Sequence, residues 1–336
     1  MFIVCVPYTL PVKMERASRK RFFDCAFDDC AVDFDDEIVE EVVHNVGPYP
    51  TPAHHWSIDF GQQSPLGEIE DTEDPYPTGD TVNAKEYYDT YVARTPEQCA
   101  IEAAAPQRSV AWKNARKFAI TASDFGAALG TNAYCTPTEL VKKKVWGTFT
   151  GNAATKWGSI QEAHAEEAFL EWARETISPD ATLHTVNLTK YSLLPWIAVS
   201  PDGILTYTKH GVLRADLVEY KCPIKTQSDA HPYKTHPNCT PPYYRDQMMG
   251  MLHYINACGG ITIGDAVHKL ESAWFVVWQP RALWVVPHVV REDEWTDRIY
   301  PGLRTFYFCS LLPALVWLHN GKIKDGETEP FSEIDV

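Results

Sequence analysis

The sequence predicts an α/β protein built on a mixed sheet flanked by helices. Two strand-like runs, residues 197–207 and 212–222, meet at "TKHG", which reads as a hairpin turn. A long amphipathic stretch, residues 157–175, precedes them. A second strand pair, residues 274–278 and 283–290, follows a helix introduced by Pro241 and Pro242.

Taken in order, residues 1–105 form the least regular part. An acidic run, "DDCAVDFDDEIVEEVV", is followed by "GPYPTPAHHW" and "EDTEDPYPTGD", rich in Pro, Gly and Asp, and a short helix over residues 35–43 is the only element they suggest. Regular structure is expected from about Ser109. In "TASDFGAALG", Thr121 is an N-cap with Asp124 three residues on, and Gly130 ends the helix. A second helix follows Pro137. The long helix over 157–175 comes next, then strands at 182–189, 197–207 and 212–222. The helix after Pro242 runs to about Ala257, and a terminal helical region begins near Glu292. The expected division is therefore an acidic, partly irregular extension over 1–105 and one folded domain over 106–336, with the extension dispensable for the chemistry.

Composition narrows the function classes. The formal net charge of −15 over 336 residues argues against nucleic acid until its position is noted: residues 1–105 hold 7 Lys+Arg against 21 Asp+Glu, leaving 23 against 24 in the remainder. The folded part is balanced and free to present a phosphate-binding groove. The nine cysteines are odd in number and never spaced as CxxC, which excludes a disulfide framework and a zinc ribbon. His231, His236 and Cys239 read as a polar loop rather than a metal site. No uninterrupted apolar run reaches the ~18 residues of a membrane helix, and the start lacks a basic leader. A soluble, intracellular protein without a membrane role is expected.

The chemistry is concentrated in "LVEYKCP". Strand side chains alternate, so Glu219 and Lys221 share one face of an otherwise apolar element. Burying an unpaired charge is costly, so the pair either closes on itself or binds something charged. In the preceding strand, "AVSPDGIL" places Asp202 after an apolar run, where the hairpin can bring it beside Glu219. Two adjacent carboxylates repel, and a divalent cation preferring oxygen, Mg²⁺ or Mn²⁺, resolves the conflict. In "WGSIQEAHAEEAFLEWARE", about 100° per residue puts Glu162 on the face of Ala165, Phe169, Trp172 and Ala173, whereas Glu167 and Glu171 point away.

Asp, then Glu-x-Lys, is the signature of PD-(D/E)XK nucleases. The surrounding pieces are "WKNARKFAITAS" (112–123), "WGSIQE" (157–162), "SPDGIL" (200–205), "VEYKCP" (218–223) and "YYRDQMMGM" (243–251). In this order they resemble the phage lambda exonuclease-like family, also called YqaJ-type viral recombinases, over about residues 109–310. The resemblance implies a PD-(D/E)XK restriction-endonuclease-like core, with Glu162, Asp202, Glu219 and the Tyr220 backbone carbonyl as metal ligands. It makes Lys221 the residue that orients or deprotonates the attacking water and Gln247 a positioner of water or phosphate. Arg116 and Ser123 become phosphate-holding residues at a DNA end. Also implied are digestion of double-stranded DNA ends from 5′ to 3′, a ring of three subunits as in the phage enzyme, a single-strand annealing protein as partner, and a host cytoplasmic or nuclear location for a viral protein. The metal-site residues alone leave an endonuclease, an RNA-cutting nuclease and an inactive DNA-binding scaffold as alternatives.

Overall fold

Helix starts in this chain are written into short local signals. The computed structural model describes residues 82–106, 109–147, 153–224 and 230–321, all within one unit. The expected helix over 35–43 lies outside them. Helix α1 (Ala84–Tyr87, continued by a wider turn Tyr88–Val92) starts at Asn83, whose side chain and that of Glu86 cap each other's backbone N–H. Helix α2 (Pro96–Ala103) uses Thr95 and Gln98 in the same reciprocal way, with Pro96 pre-setting the first turn. Helix α3 (Val110–Arg116) is capped by Ser109. Strand β1 (Ile120–Thr121) leads through a 3₁₀ turn, Ala122–Asp124, into α4 (Phe125–Ala128), and Thr121 and Asp124 form the expected capping box. Helix α5 (Pro137–Trp146) carries a further box, Thr136 with Glu139, and ends on Gly147 at φ +61°, a conformation glycine adopts without strain.

Helix α6 (Ala153–Thr176) precedes β2 (Thr182–His184), β3 (Ile197–Ala198), β4 (Gly203–Lys209) and β5 (Val212–Lys221). The single strand expected over 197–207 is thus two: β3 pairs in parallel with β1, whereas β4 enters the main sheet, and the chain breaks between them at Ser200–Asp202. The "TKHG" hairpin is present, with His210 at φ +51° and Gly211 at +76° forming a two-residue connection. Helix α7 (Pro242–Ala257) follows, then a small hairpin that the sequence reading lacked, β6 (Ile261–Ile263) and β7 (Ala266–His268), and the expected pair β8 (Ser272–Gln279) and β9 (Ala282–Val289). The main sheet has the order β2-β4-β5-β8-β9. It is antiparallel except for the parallel β5–β8 pair that a crossover through α7 demands.

The pleat separates two faces. Leu205, Tyr207, Val218, Tyr220, Val276 and Trp278 pack with Ala165, Phe169 and Ala173 of α6 into one core. The opposite parity, Glu219 and Lys221, meets α7 through Gln247 and Tyr244. Trp274 and Trp278 belong to the core side, and Trp284 is fully buried.

One expectation needs correction. Regular structure does not wait for Ser109, because α1 and α2 are built into the fold. Tyr87 is buried against Phe118 and His319, and Val82 exchanges both backbone hydrogen bonds with the Asn320 side chain. Arg94 and Lys190 close on Glu102 at 2.6 and 3.0 Å, and the buried Lys190 also donates to the Ala115 carbonyl at 3.0 Å. Residues 82–105 thus supply the carboxylate that the buried Lys190 meets, and their removal is expected to destabilise the fold. The terminal helical region starts at Glu292, as expected, with α8 (Glu292–Glu294), α9 (Tyr300–Phe306) and α10 (Leu312–His319) joined by wider turns. Among the described residues, Trp295–His319 is the one stretch long and apolar enough to cross a membrane by length and composition. Here Ile299, Leu303, Phe306, Tyr307, Leu311 and Leu312 are buried in the protein core.

Glu102→Gln is expected to lower unfolding stability by about 3 kcal/mol, and Glu102→Gln with Lys190→Met to recover part of that, measured by urea denaturation. A second expectation concerns pH. Burial holds His288, with Arg245 adding to the effect, and His231 down at about 4. The unfolded imidazole titrates near 6.5, so each contributes stability that is complete above about pH 6.5 and lost as pH falls toward 4. Buried acids with raised values act in the opposite sense, so the comparison must isolate the histidine. His288→Asn should remove roughly 1–2 kcal/mol of the wild type's stability loss between pH 7.5 and 5.

Candidate active site

Three deeply buried carboxylates lie on or beside the central strands, and their hydrogen bonding separates their roles. Asp216 on β5 accepts from Tyr207 Oη at 2.9 Å, Trp274 Nε1 at 2.9 Å and Ser272 N at 3.1 Å. Asp246 on α7 accepts from Thr131 Oγ1 at 2.6 Å and Arg298 at 2.5 Å. Both are satisfied structural acids. Glu219 is different: Oε1 takes Lys221 Nζ and, at 2.5 Å, Gln247 Nε2, while the buried Oε2 has no hydrogen-bond partner. An orphaned carboxylate oxygen in a protein interior is where a ligand belongs.

The expected partners gather around it. Asp202, in the break between β3 and β4, accepts the Tyr220 N–H at 2.8 Å, which sets it at the β5 edge beside Glu219. Glu162 reaches Asp202 from α6 and hydrogen-bonds it. Burial first, and then the neighbouring acid charges, raise the pKa of both Asp202 and Glu219: Glu162 acts on Asp202, and Asp202 on Glu219. Burial pulls Lys221 the other way, but the charges of Glu219 and Asp202 outweigh it and hold the ammonium protonated. Lys221 Nζ also lies 4.6 Å from the Tyr244 ring centre, a cation–π contact.

These oxygens suit a hard divalent cation, which would relieve their mutual repulsion and occupy the free Glu219 oxygen. Among the described residues no three His, Cys, Asp or Glu side chains form a ready-made cage; Lys221 and the Tyr220 N–H each take one of the oxygens concerned. His231 Nδ1 accepts from Tyr233 N at 3.0 Å and its ring packs on Trp284, while its buried Nε2 has no hydrogen-bond partner.

Arg116 and Ser123 stand apart from this cluster. The half-buried Arg116 guanidinium lies 3.8 Å from the Trp112 ring centre, and among the described residues no carboxylate pairs with it. Ser123 is exposed, with Oγ 3.2 Å from Thr121 Oγ1. In the same turn Asp124 accepts the Thr121 N–H at 2.9 Å and pairs with Lys144 at 2.6 Å. Lys144 had no place in the sequence reading; only the fold brings α5 against that turn. The turn and the cluster are nonetheless locked together. A Cβ on Gly126 of α4 would lie 2.4 Å from Tyr243 Cβ, and one on Gly250 of α7 would lie 2.4 Å from the Phe125 ring. Each helix needs the other's glycine to approach this closely.

An acid just before β4, Glu-x-Lys on β5 and a glutamine from the next helix are thus brought together in the arrangement expected from the sequence. Residues 111–257 match the YqaJ-like viral recombinase domain. No curated protein matches the chain. Among solved structures, an alkaline exonuclease (LHK-Exo) from Laribacter hongkongensis aligns at 22% identity and a TM-score of 0.45, covering 64% of this chain and 97% of its own. Its complex with dAMP aligns at 22% and 0.43, covering 62% and 95%. The Shutoff and Exonuclease Protein from Kaposi's sarcoma-associated herpesvirus aligns at 12% and 0.38, covering 70% and 76%.

Gly126→Ala is expected to destabilise more than Gly250→Ala, because the first added methyl meets the Tyr243 Cα and Cβ and the second a ring that can turn aside. Losses of about 1–3 kcal/mol, with Gly126→Ala at the upper end, should appear in thermal melts.

Proposed function

We propose that the protein is a metal-dependent DNA exonuclease that hydrolyses linear duplex DNA from the 5′ end and leaves a 3′ single strand. The observation that carries this reading is the Glu219 carboxylate, buried with one oxygen free and the other held by Lys221 and Gln247.

Glu162, Asp202, Glu219 and the Tyr220 carbonyl would hold Mg²⁺ or Mn²⁺. When bound, such an ion lowers the pKa of water and neutralises charge on phosphate oxygens. Lys221, kept protonated between Glu219 and Tyr244, orients the attacking water and offsets charge that develops on the phosphate. Gln247 holds the Glu219 oxygen nearest that ammonium, so α7 fixes the carboxylate's rotamer. The water oxygen forms a bond to phosphorus, the P–O3′ bond breaks, and the leaving 3′ oxygen ends protonated. Arg116, unpaired with any described carboxylate and braced on Trp112, has the fork geometry for a terminal 5′-phosphate, with the Ser123 hydroxyl as a second donor. The family resemblance extends the proposal to a homotrimer and to a single-strand annealing partner.

End-labelled linear duplex and closed circular DNA, incubated with Mg²⁺, test this reading. Progressive loss from the phosphorylated 5′ end is expected, with Lys221→Ala slower by about 10²- to 10⁴-fold and Arg116→Ala losing the preference for 5′-phosphate over 5′-hydroxyl. Efficient cutting of closed circles would overturn exonuclease action, and full activity in Lys221→Ala would overturn the site.

A further inference from the structure

A row of aromatic rings leads from the protein surface to the site lysine. It begins at Tyr134, which is 80% exposed. The Tyr134 ring meets Tyr243 edge-on with centres 6.1 Å apart, Tyr243 and Tyr244 are 4.4 Å apart, and Tyr244 lies under Lys221 Nζ at 4.6 Å. The inner rings are supported from below, because Tyr244 packs on Phe275 of β8 and on Tyr233.

The loop that presents Tyr134 is held firmly. Thr131 N and Asn132 N both donate to the Gly126 carbonyl, at 2.8 and 3.0 Å, and Tyr134 N donates to Asn132 Oδ1 at 2.8 Å. Thr131 Oγ1 reaches the buried Asp246 at 2.6 Å, and Asp246 adjoins Gln247 in sequence on α7. The exposed ring is thus fixed in register with the site, so stacking on it carries little ordering entropy. The same loop meets a cation: Lys143 Nζ lies 3.2 Å from Sγ of Cys135, the residue after Tyr134. A fixed exposed ring on a loop that meets an ammonium is the combination that binds single-stranded nucleic acid, the ring taking a base and the cation a phosphate.

We propose that Tyr134, backed by Tyr243, is a stacking platform for an unpaired nucleobase of the DNA strand whose scissile phosphate is presented to Lys221. The inference rests on the nuclease reading and adds to it a requirement for local unpairing next to the cut. A lone exposed tyrosine needs no explanation; an exposed tyrosine on a loop tied through Thr131 to a buried acid and joined ring by ring to Lys221 does.

The test uses the full chain with EDTA present, so that binding is read without cleavage. The probe is a duplex with 2-aminopurine in a short unpaired end, compared with a fully paired duplex. Wild type should quench the fluorophore by stacking. Tyr134→Ala should abolish that quenching and weaken binding of the unpaired-end probe by roughly 5- to 100-fold, with less effect on the paired duplex. Tyr134→Phe should retain both, because the ring and not the hydroxyl is used. Unchanged quenching in Tyr134→Ala, or equal loss in Tyr134→Phe, overturns the platform while DNA binding stands. Failure of the wild type to bind either DNA overturns the platform and the nuclease reading together.

Discussion

A carboxylate buried in the central strand of a sheet is tenable only if its surroundings answer its charge, and Glu219 sets this condition for the site. Lys221 answers it from the same face of the same strand, and Gln247 answers it from α7. Neither reaches Oε2. The compensation is therefore incomplete by one oxygen, and the two other acids that converge there, Asp202 and Glu162, worsen the imbalance. A fold optimised for stability alone would have placed an apolar residue here, as it did at Leu217 one turn of the pleat earlier. Asp216 shows the contrast within a single strand: it is equally buried, fully hydrogen-bonded and structurally spent.

Holding such a site requires a rigid frame, and the frame is made by close approach. Gly126 and Gly250 let α4 and α7 cross with almost no gap, so the turn bearing Ser123 and the helix bearing Gln247 move as one body. Arg298 joins Asp246 of α7 to Glu294 of the terminal helical region, and Tyr307 donates to the Phe118 carbonyl at 2.8 Å, two residues from Arg116. On the other side, Lys190 connects Glu102 of α2 to the Ala115 carbonyl, the residue before Arg116. The half-buried arginine is thereby positioned by elements distant in sequence, none of which touches it with a charge.

Much of this was legible in the sequence because it is local. The two-residue period placed Glu219 and Lys221 on one face, the 3.6-residue period turned Glu162 toward the core, and the capping signal at Thr121 and Asp124 marked a real helix start. The signals "NAKE" and "TPEQ" were equally readable, but an acidic, proline-rich average over the first 105 residues hid them. Long-range matters were not legible. No local pattern says that Asp216 would be satisfied by Tyr207 and Trp274 while Glu219 would not. The pairing of Lys144 with Asp124 and the tether from Thr131 to Asp246 likewise exist only once the helices cross. The break at Ser200–Asp202 escaped notice because the flanking residues all favour strand, and only pairing shows that β3 and β4 serve different partners.

The β4–β5 hairpin has a consequence for how this architecture diversifies. Its tip, His210 and Gly211, is exposed and makes no demand on the site, while Asp202 and Glu219 are fixed at the opposite end by the Gly203–Val218 pairing. Residues added at the tip in even numbers extend the ladder and keep the same tight turn; an odd addition must be absorbed as a longer loop or a bulge. The separation of the two acids along the chain is thus a freely drifting quantity that changes most readily in steps of two, whereas their separation in space is conserved by the ladder itself. Homologues should therefore be aligned by the parity of this interval and not by its length.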